Sequence, residues 1–139
     1  MAEAVEFGGH HVDFGDDGII HWRTAEVIRH DDAIAFDQAM QRYQARFPEA
    51  VVLLELSRGT GVEANARRLI IEAVKERPYA ICFINASFAM RAIVGLMLNA
   101  SRLLGQVYPH TFVDTEDEAR AWARAIKPGW LSRSRRGAR

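Results

Sequence analysis

The stretch from residue 50 to residue 85 constrains the fold more than any other. "VVLLELS" (51–57) and "YAICFIN" (79–85) are short apolar runs rich in β-branched and aromatic residues. Neither alternates cleanly between apolar and polar, which is the pattern of strands covered on both faces of a sheet. Between them, "GVEANARRLIIEAVKERP" puts Ala66, Leu69, Ile70, Ala73 and Val74 on one helical stripe. Arg67, Arg68, Glu72, Lys75 and Glu76 cover the rest of that helix. Strand, amphipathic helix and strand in this order predict two parallel strands joined by a right-handed crossover.

The rest of the chain extends this unit. "HHVDFGDDGIIHWR" (10–23) reads as a β-hairpin: Val12 and Phe14 alternate with polar neighbours, Asp17-Gly18 turns, and Ile20 and Trp22 resume the alternation. "RHDDAIAFDQAMQRYQARFPE" (29–49) reads as a helix capped by Asp31 or Asp32 and ended by Pro48. Phe36, Met40, Tyr43 and Phe47 recur in it at helical spacing. Ser87 caps a helix that runs to about Leu104 and ends at Gly105. "VYPHTFV" (107–113) is a fifth strand, and Pro109 puts it at a sheet edge or start. Thr115 to Glu118 form a capping box for a last helix, with Ala119, Trp122, Ala123 and Ile126 on one face. The order β-β-α-β-α-β-α-β-α predicts one mixed five-stranded α/β sheet with an N-terminal hairpin and about four helices.

Composition agrees with one domain. The chain has 139 residues, 49% hydrophobic and 26% charged, enough apolar material for one core. Residues 1–127 are read as the domain. The remainder, 128–139, is basic and without period, and is expected to be a mobile tail whose removal leaves the thermal midpoint almost unchanged. Formal net charge is zero, so the chain as a whole has no electrostatic drive toward nucleic acid, and no nucleic-acid partner is expected. The single cysteine, Cys82, excludes an intrachain disulfide and sits in an expected buried strand. "MAEAVEFGGHH" is acidic and lacks the apolar core of a secretory signal, so the expected location is the cytoplasm. Arg91, Asn99 and Arg102 interrupt the longest apolar stretch, 88–105, so no transmembrane segment is expected.

Two regions stand out as candidate sites. The first is the loop "SRGTG" with the following helix start. Gly59, Gly61 and Ala64 fit G-x-G-x-x-G/A. That fingerprint calls for an acid at the end of the next strand, where this chain has Asn85. Thr60-x-x-Glu63 is itself a capping box, with the glycines allowing a tight turn into the helix. Ser57, Gly59, Thr60, Gly61 and Ser87 are therefore read as a ligand or partner loop at strand ends, and no cofactor is assigned to them.

The second region is the helix from Ser87. Phe88, Ala92, Leu96, Ala100 and Leu103 suffice for a core stripe, and Ile93, Val94, Met97, Leu98 and Leu104 widen it beyond one face. The excess predicts a homodimer with Val94–Leu98 at or near the interface, which a charge at Leu98 would separate. The alternatives are a cavity for a small apolar ligand, lined by Met90 and Met97, and plain burial. Met90, Val94, Met97 and Leu98 are the interface or pocket residues of this reading. His10, His11 and His21 are read as exposed hairpin histidines, with no metal site. No nucleophile with a base at a recognisable spacing appears, so no catalytic residue is assigned.

Chain order and local motifs resemble the STAS/SpoIIAA-like family, the anti-sigma factor antagonist domains and their relatives, across roughly residues 8 to 127. "LLELS" resembles the family's D-L-S strand end. "INASFAMRAIVGLMLNASRLLG" resembles the strand and helix that follow, and "VYPHTFVDTEDEARAWARA" resembles the closing strand and helix. The resemblance implies a mostly non-enzymatic module that binds a partner, regulates, or holds a small or lipid-like ligand. Regulatory antagonists carry a phosphorylated serine in D-S-S-G a few residues after D-L-S. Here those places hold Glu63, Ala64, Asn65 and Ala66, so the phosphoswitch does not carry over by position.

Overall fold

The computed structural model describes residues 3–105, 109–126 and 129–130. In chain order the elements are β1 (Glu3–Phe7), β2 (His10–Phe14), β3 (Ile19–Arg23), β4 (Val27–Ile28), α1 (His30–Gln44) and β5 (Val51–Glu55). They continue with β6 (Gly61–Val62), α2 (Ala64–Glu76), β7 (Ala80–Ile84), α3 (Phe88–Leu103), β8 (His110–Val113) and α4 (Glu116–Ile126).

The main sheet has six strands in the order β1-β2-β3-β5-β7-β8. The first three are antiparallel, and β3, β5, β7 and β8 run parallel. The expected hairpin is β2–β3, with Gly18 at a φ of 85° in its turn. The sixth strand is β1, which was not expected. It pairs with β2 from Glu3↔Phe14 to Phe7↔His10. "EAVEF" is short and two of its five residues are acidic, which gives it little strand character. The fifth strand of the sequence reading is β8, the sheet edge, and Pro109 stands just before it.

The crossovers through α1, α2 and α3 all advance across the sheet in one direction. With one handedness they fall on the same face. Their core joins Ile20 and Trp22 of β3, Val52 and Leu54 of β5, and Ile81 and Phe83 of β7 to Phe36, Met40 and Tyr43 of α1. The alternate residues Ile19, Val51, Leu53, Ala80, Cys82 and Ile84 point to the other face, where Ala119 and Ala123 of α4 cover them. Trp130 completes this second cluster. It is fully buried, donates its indole N–H to the Glu49 carbonyl at 2.9 Å, and follows Gly129, whose N–H meets the Glu49 carboxylate at 2.8 Å. The expectation of an unpacked tail from residue 128 therefore fails at Gly129 and Trp130. Residues 131–139 lie outside the described residues.

Candidate functional site

The loop between β5 and α2 sits at the carboxyl ends of the parallel strands, where open α/β sheets bind ligands. The structure brings Ser57, Gly59, Thr60, Gly61 and Ser87 to this one end. Leu56 N–H bonds the Ile84 carbonyl at 2.9 Å and joins the ends of β5 and β7. A Cβ on Gly59 would lie 3.3 Å from Met90 Cε, so the loop packs directly on the first turn of α3. Ser87 is the N-cap of α3, its hydroxyl accepting from Met90 N–H at 3.2 Å, as expected. Just before it, Asn85 holds a left-handed backbone with φ of 55°.

The capping box at Thr60 and Glu63 does not form. Gly61–Val62 instead pair with Val27–Ile28 as a small two-stranded sheet. The Thr60 hydroxyl donates to the Glu26 carbonyl at 3.1 Å. Glu63 is the N-cap residue of α2 but makes no side-chain cap there; its carboxylate accepts from His30 N–H at 2.9 Å and caps α1 instead. Similarly, Arg29 is the N-cap residue of α1, and Asp32 works from inside the first turn by accepting from Arg29 N–H at 2.9 Å. Neither Gly59 nor Gly61 has a positive φ, and nothing lies within 4 Å of a Cβ on Gly61. The loop therefore does not need glycine at Gly61 for its own backbone, whereas at Gly59 a Cβ would meet the Leu56 carbonyl at 3.2 Å.

The larger departure is α3. Only Met90, Val94 and Ser101 are buried in its 16 residues. The stripe taken for the core points outward: Phe88 is 90% exposed, Leu96 72% and Leu103 77%. At about 100° per residue these positions lie opposite Met90, Val94 and Ser101. Within the expected Val94–Leu98 interface, Val94 is buried and Leu98 packs against the larger core, while Gly95 and Leu96 are exposed, so only part of that segment is surface. A charge at Leu98 would unsettle the domain rather than separate subunits. Arg91 lies over the Phe112 ring at 5.2 Å, and Phe112 stacks on Phe83 with centroids 4.9 Å apart. These contacts hold α3 over the β7–β8 edge.

Under α3 lies a cavity of about 60 Å³. Met90, Val94, Met97 and Leu98 all line it from the helix, and Leu54 and Phe83 from the sheet. The four helix residues were legible in the sequence, and the strand floor was not. The signal for the floor was the β5 and β7 alternation, once it is known which face α3 covers.

The histidines also differ from expectation. Of the three, His10 and His21 are buried and His11 is only partly exposed. His10 Nδ1 accepts from Trp22 Nε1 at 3.1 Å and Ala25 N–H at 3.0 Å, so its proton sits on Nε2, which donates to Asp32 at 3.0 Å. This network ties β2, β3 and the start of α1 together inside the core. His11 bridges Glu6 and Asp13, and its hydrogen bonds to those two carboxylates, which favour the protonated ring, raise its pKa. His21 has no hydrogen-bond partner for either nitrogen, and burial with Arg23 nearby lowers its pKa. Burial pushes the Cys82 thiol up to about 11, which makes it a poor nucleophile. Among the described residues, no group of three or more His, Cys, Asp or Glu is placed to hold a metal. Among them, no helix is long and apolar enough to cross a membrane.

No family model matches the sequence and no curated relative matches it. Solved structures do. A Thermotoga maritima protein described as an anti-sigma factor antagonist superposes with a TM-score of 0.56 at 13% identity, over 81% of this chain and 92% of that one. The anti-sigma factor antagonist SpoIIAA in its unphosphorylated form gives 0.55 at 12% identity, over 91% of this chain and 100% of its own. The chain has the SpoIIAA-like fold. An uncharacterized Shewanella loihica PV-4 protein, described as SpoIIAA-like in fold, gives a TM-score of 0.58 at 10% identity, over 88% and 91% of the two chains. Within the SpoIIAA-like frame of this chain, the strand-end loop, the first turn of α3 and the cavity beneath α3 form one continuous region.

Proposed function

We propose that the protein is a non-enzymatic, cytoplasmic regulatory module that acts by covering the outer face of α3 with another protein surface, first of all a second copy of itself. The observation that carries this reading is the placement of the exposed large hydrophobic residues. Among the described residues they are Phe88, Leu96, Leu103 and Leu104, all on α3 or at its cap. Single exposed leucines are ordinary, but a row along one helix marks an interaction surface. Two of the structural neighbours are described as anti-sigma factor antagonists, which agrees with a partner-binding role. Ala64 and Asn65 hold the positions of the antagonists' phosphoacceptor segment, so regulation here works without a phosphoserine at that place.

Sedimentation tests the reading. The wild-type chain is expected to be a dimer at tens of micromolar concentration. Leu96→Glu, at a 72% exposed position, is expected to give a monomer with stability unchanged within about 0.5 kcal/mol. A monomeric wild type removes self-association. A second reading, a carrier or sensor of a small apolar ligand, rests on the cavity under the same helix.

A further inference from the structure

We infer that the cavity under α3 is a binding site for a compact nonpolar ligand, the size of one six-membered ring or a few aliphatic carbons. The inference rests on the apolar-ligand reading above and adds a size and a chemistry to it. Chemistry follows from the lining. The polar side-chain atoms among the lining residues, thioethers aside, are the Trp22 indole N–H, already donated to His10, and the Tyr79 hydroxyl. A ligand hydroxyl or charge in the void would face Val52, Leu54, Val94 and Leu98 and lose its water.

Size follows from volume. The cavity of about 60 Å³ is under half of the roughly 150 Å³ in which benzene sits in an engineered apolar cavity. It cannot hold a lipid chain as it stands. Met90 and Met97 are the unbranched, adaptable side chains of the lining, and Met97 is only half-buried. Met97 swinging toward solvent enlarges the space without moving the backbone. Strands β5 and β7 form a rigid floor, and α3 has only three buried residues, so the roof is the part that yields. The enlargement is one side chain's worth, which selects a ring or a short chain over a long one.

Toluene is the probe. The thermal midpoint and the methyl NMR signals of Met90 and Met97 are followed up to toluene saturation. The midpoint is expected to rise with the logarithm of toluene concentration. Met97→Ala should give the same rise at lower toluene, and Val94→Phe, which fills the void, should abolish it. If Val94→Phe does not fold, Val52→Ile is the filling variant. Phenol, the same shape with a hydroxyl, should bind roughly tenfold or more weakly. A wild type whose midpoint and methionine signals stay still in saturating toluene overturns the inference, and so does an equal rise in the filled variant. Dodecanoate separates the two levels. Silence to toluene with a response to dodecanoate overturns the compact ligand and leaves the apolar-ligand reading; silence to both overturns both. Neither result touches the sedimentation test.

Discussion

On one face of the sheet, α4 and Trp130 close a small cluster of nine buried residues, Ala119, Ala123 and Trp130 among them. On the other, α1, α2 and α3 bury 22 and still enclose a void of about 60 Å³. The small cluster rests on alanines: Ala80, Ala119 and Ala123 let α4 lie close on the strands, and one tryptophan closes the end. The large core has many bulky members with overlapping contacts. Its last helix, α3, is apolar on both sides and is held by few of its residues. A small face whose end is filled by one fully buried tryptophan, with Trp122 and Ile126 only partly buried against it, loses much when that side chain goes. A face with redundant packing and spare volume tolerates change, and there a ligand or partner can act.

Trp130→Ala breaks the small face, and carries the largest expected effect. Removing a fully buried tryptophan typically costs about 3–5 kcal/mol, and here an indole hydrogen bond at 2.9 Å to Glu49 is lost as well. Urea unfolding checks it. A loss below about 1 kcal/mol would mean that α4 closes the face without help.

His21 sharpens the same contrast by pH. It lies under α4 at 3% exposure with Glu116 Oε1 3.5 Å from Nδ1. Burial is the first cause of its lowered pKa, Arg23 the second. The unfolded chain therefore binds a proton below about pH 6.5 that the folded chain refuses, and stability falls as pH falls through that value. The slope is at most about 1.4 kcal/mol per pH unit for one group. His21→Leu should flatten the acid limb of stability between pH 6.5 and the lowered folded value. An unchanged limb would show that His21 takes its proton in the folded state, with Glu116 as partner.

How much of this was legible beforehand depended on the range of the contacts. The parallel unit 50–85, the hairpin, Ser87 as a cap and the α4 face are set by neighbouring residues, and all formed. Trp130 was not legible because its partners, Glu49 and the α4 alanines, are distant in sequence or on another element. Periodicity in α3 could not choose between inside and outside, because both sides are apolar; Met90 and Val94 went in, and Phe88 and Leu96 went out. Glu63 carries the signature of a cap for its own helix, and that signature is blind to the orphan N–H of His30 on α1, which its carboxylate accepts from instead. His10 looked like a surface residue until Trp22, Ala25 and Asp32 surrounded it.

On the loose face, filling should stabilise where removal would elsewhere destabilise. At about 24 cal/mol per Å³, a void of about 60 Å³ is worth at most about 1.4 kcal/mol. Val74→Ile adds one methylene from α2 toward that space, and an increase of up to about 1 kcal/mol in urea unfolding is expected. Destabilisation instead would mean that the void is already needed for the rotamers of Met90 and Met97.

The smallest expected effect separates the two glycines of the strand-end loop. Gly61 has no positive φ, and a Cβ there meets nothing within 4 Å. Gly61→Ala should therefore stabilise by about 0.4–1 kcal/mol, by reducing the freedom of the unfolded chain alone. At Gly59 the added Cβ meets the Leu56 carbonyl at 3.2 Å and Met90 at 3.3 Å. The methionine tip can move and the backbone carbonyl cannot, so Gly59→Ala should not share the gain. It should also shift the Met90 methyl signal, because the loop presses on the cavity roof at that atom. Equal stabilisation by both substitutions would mean that the loop does not rest on α3, and the continuity of loop, helix and cavity would be lost with it.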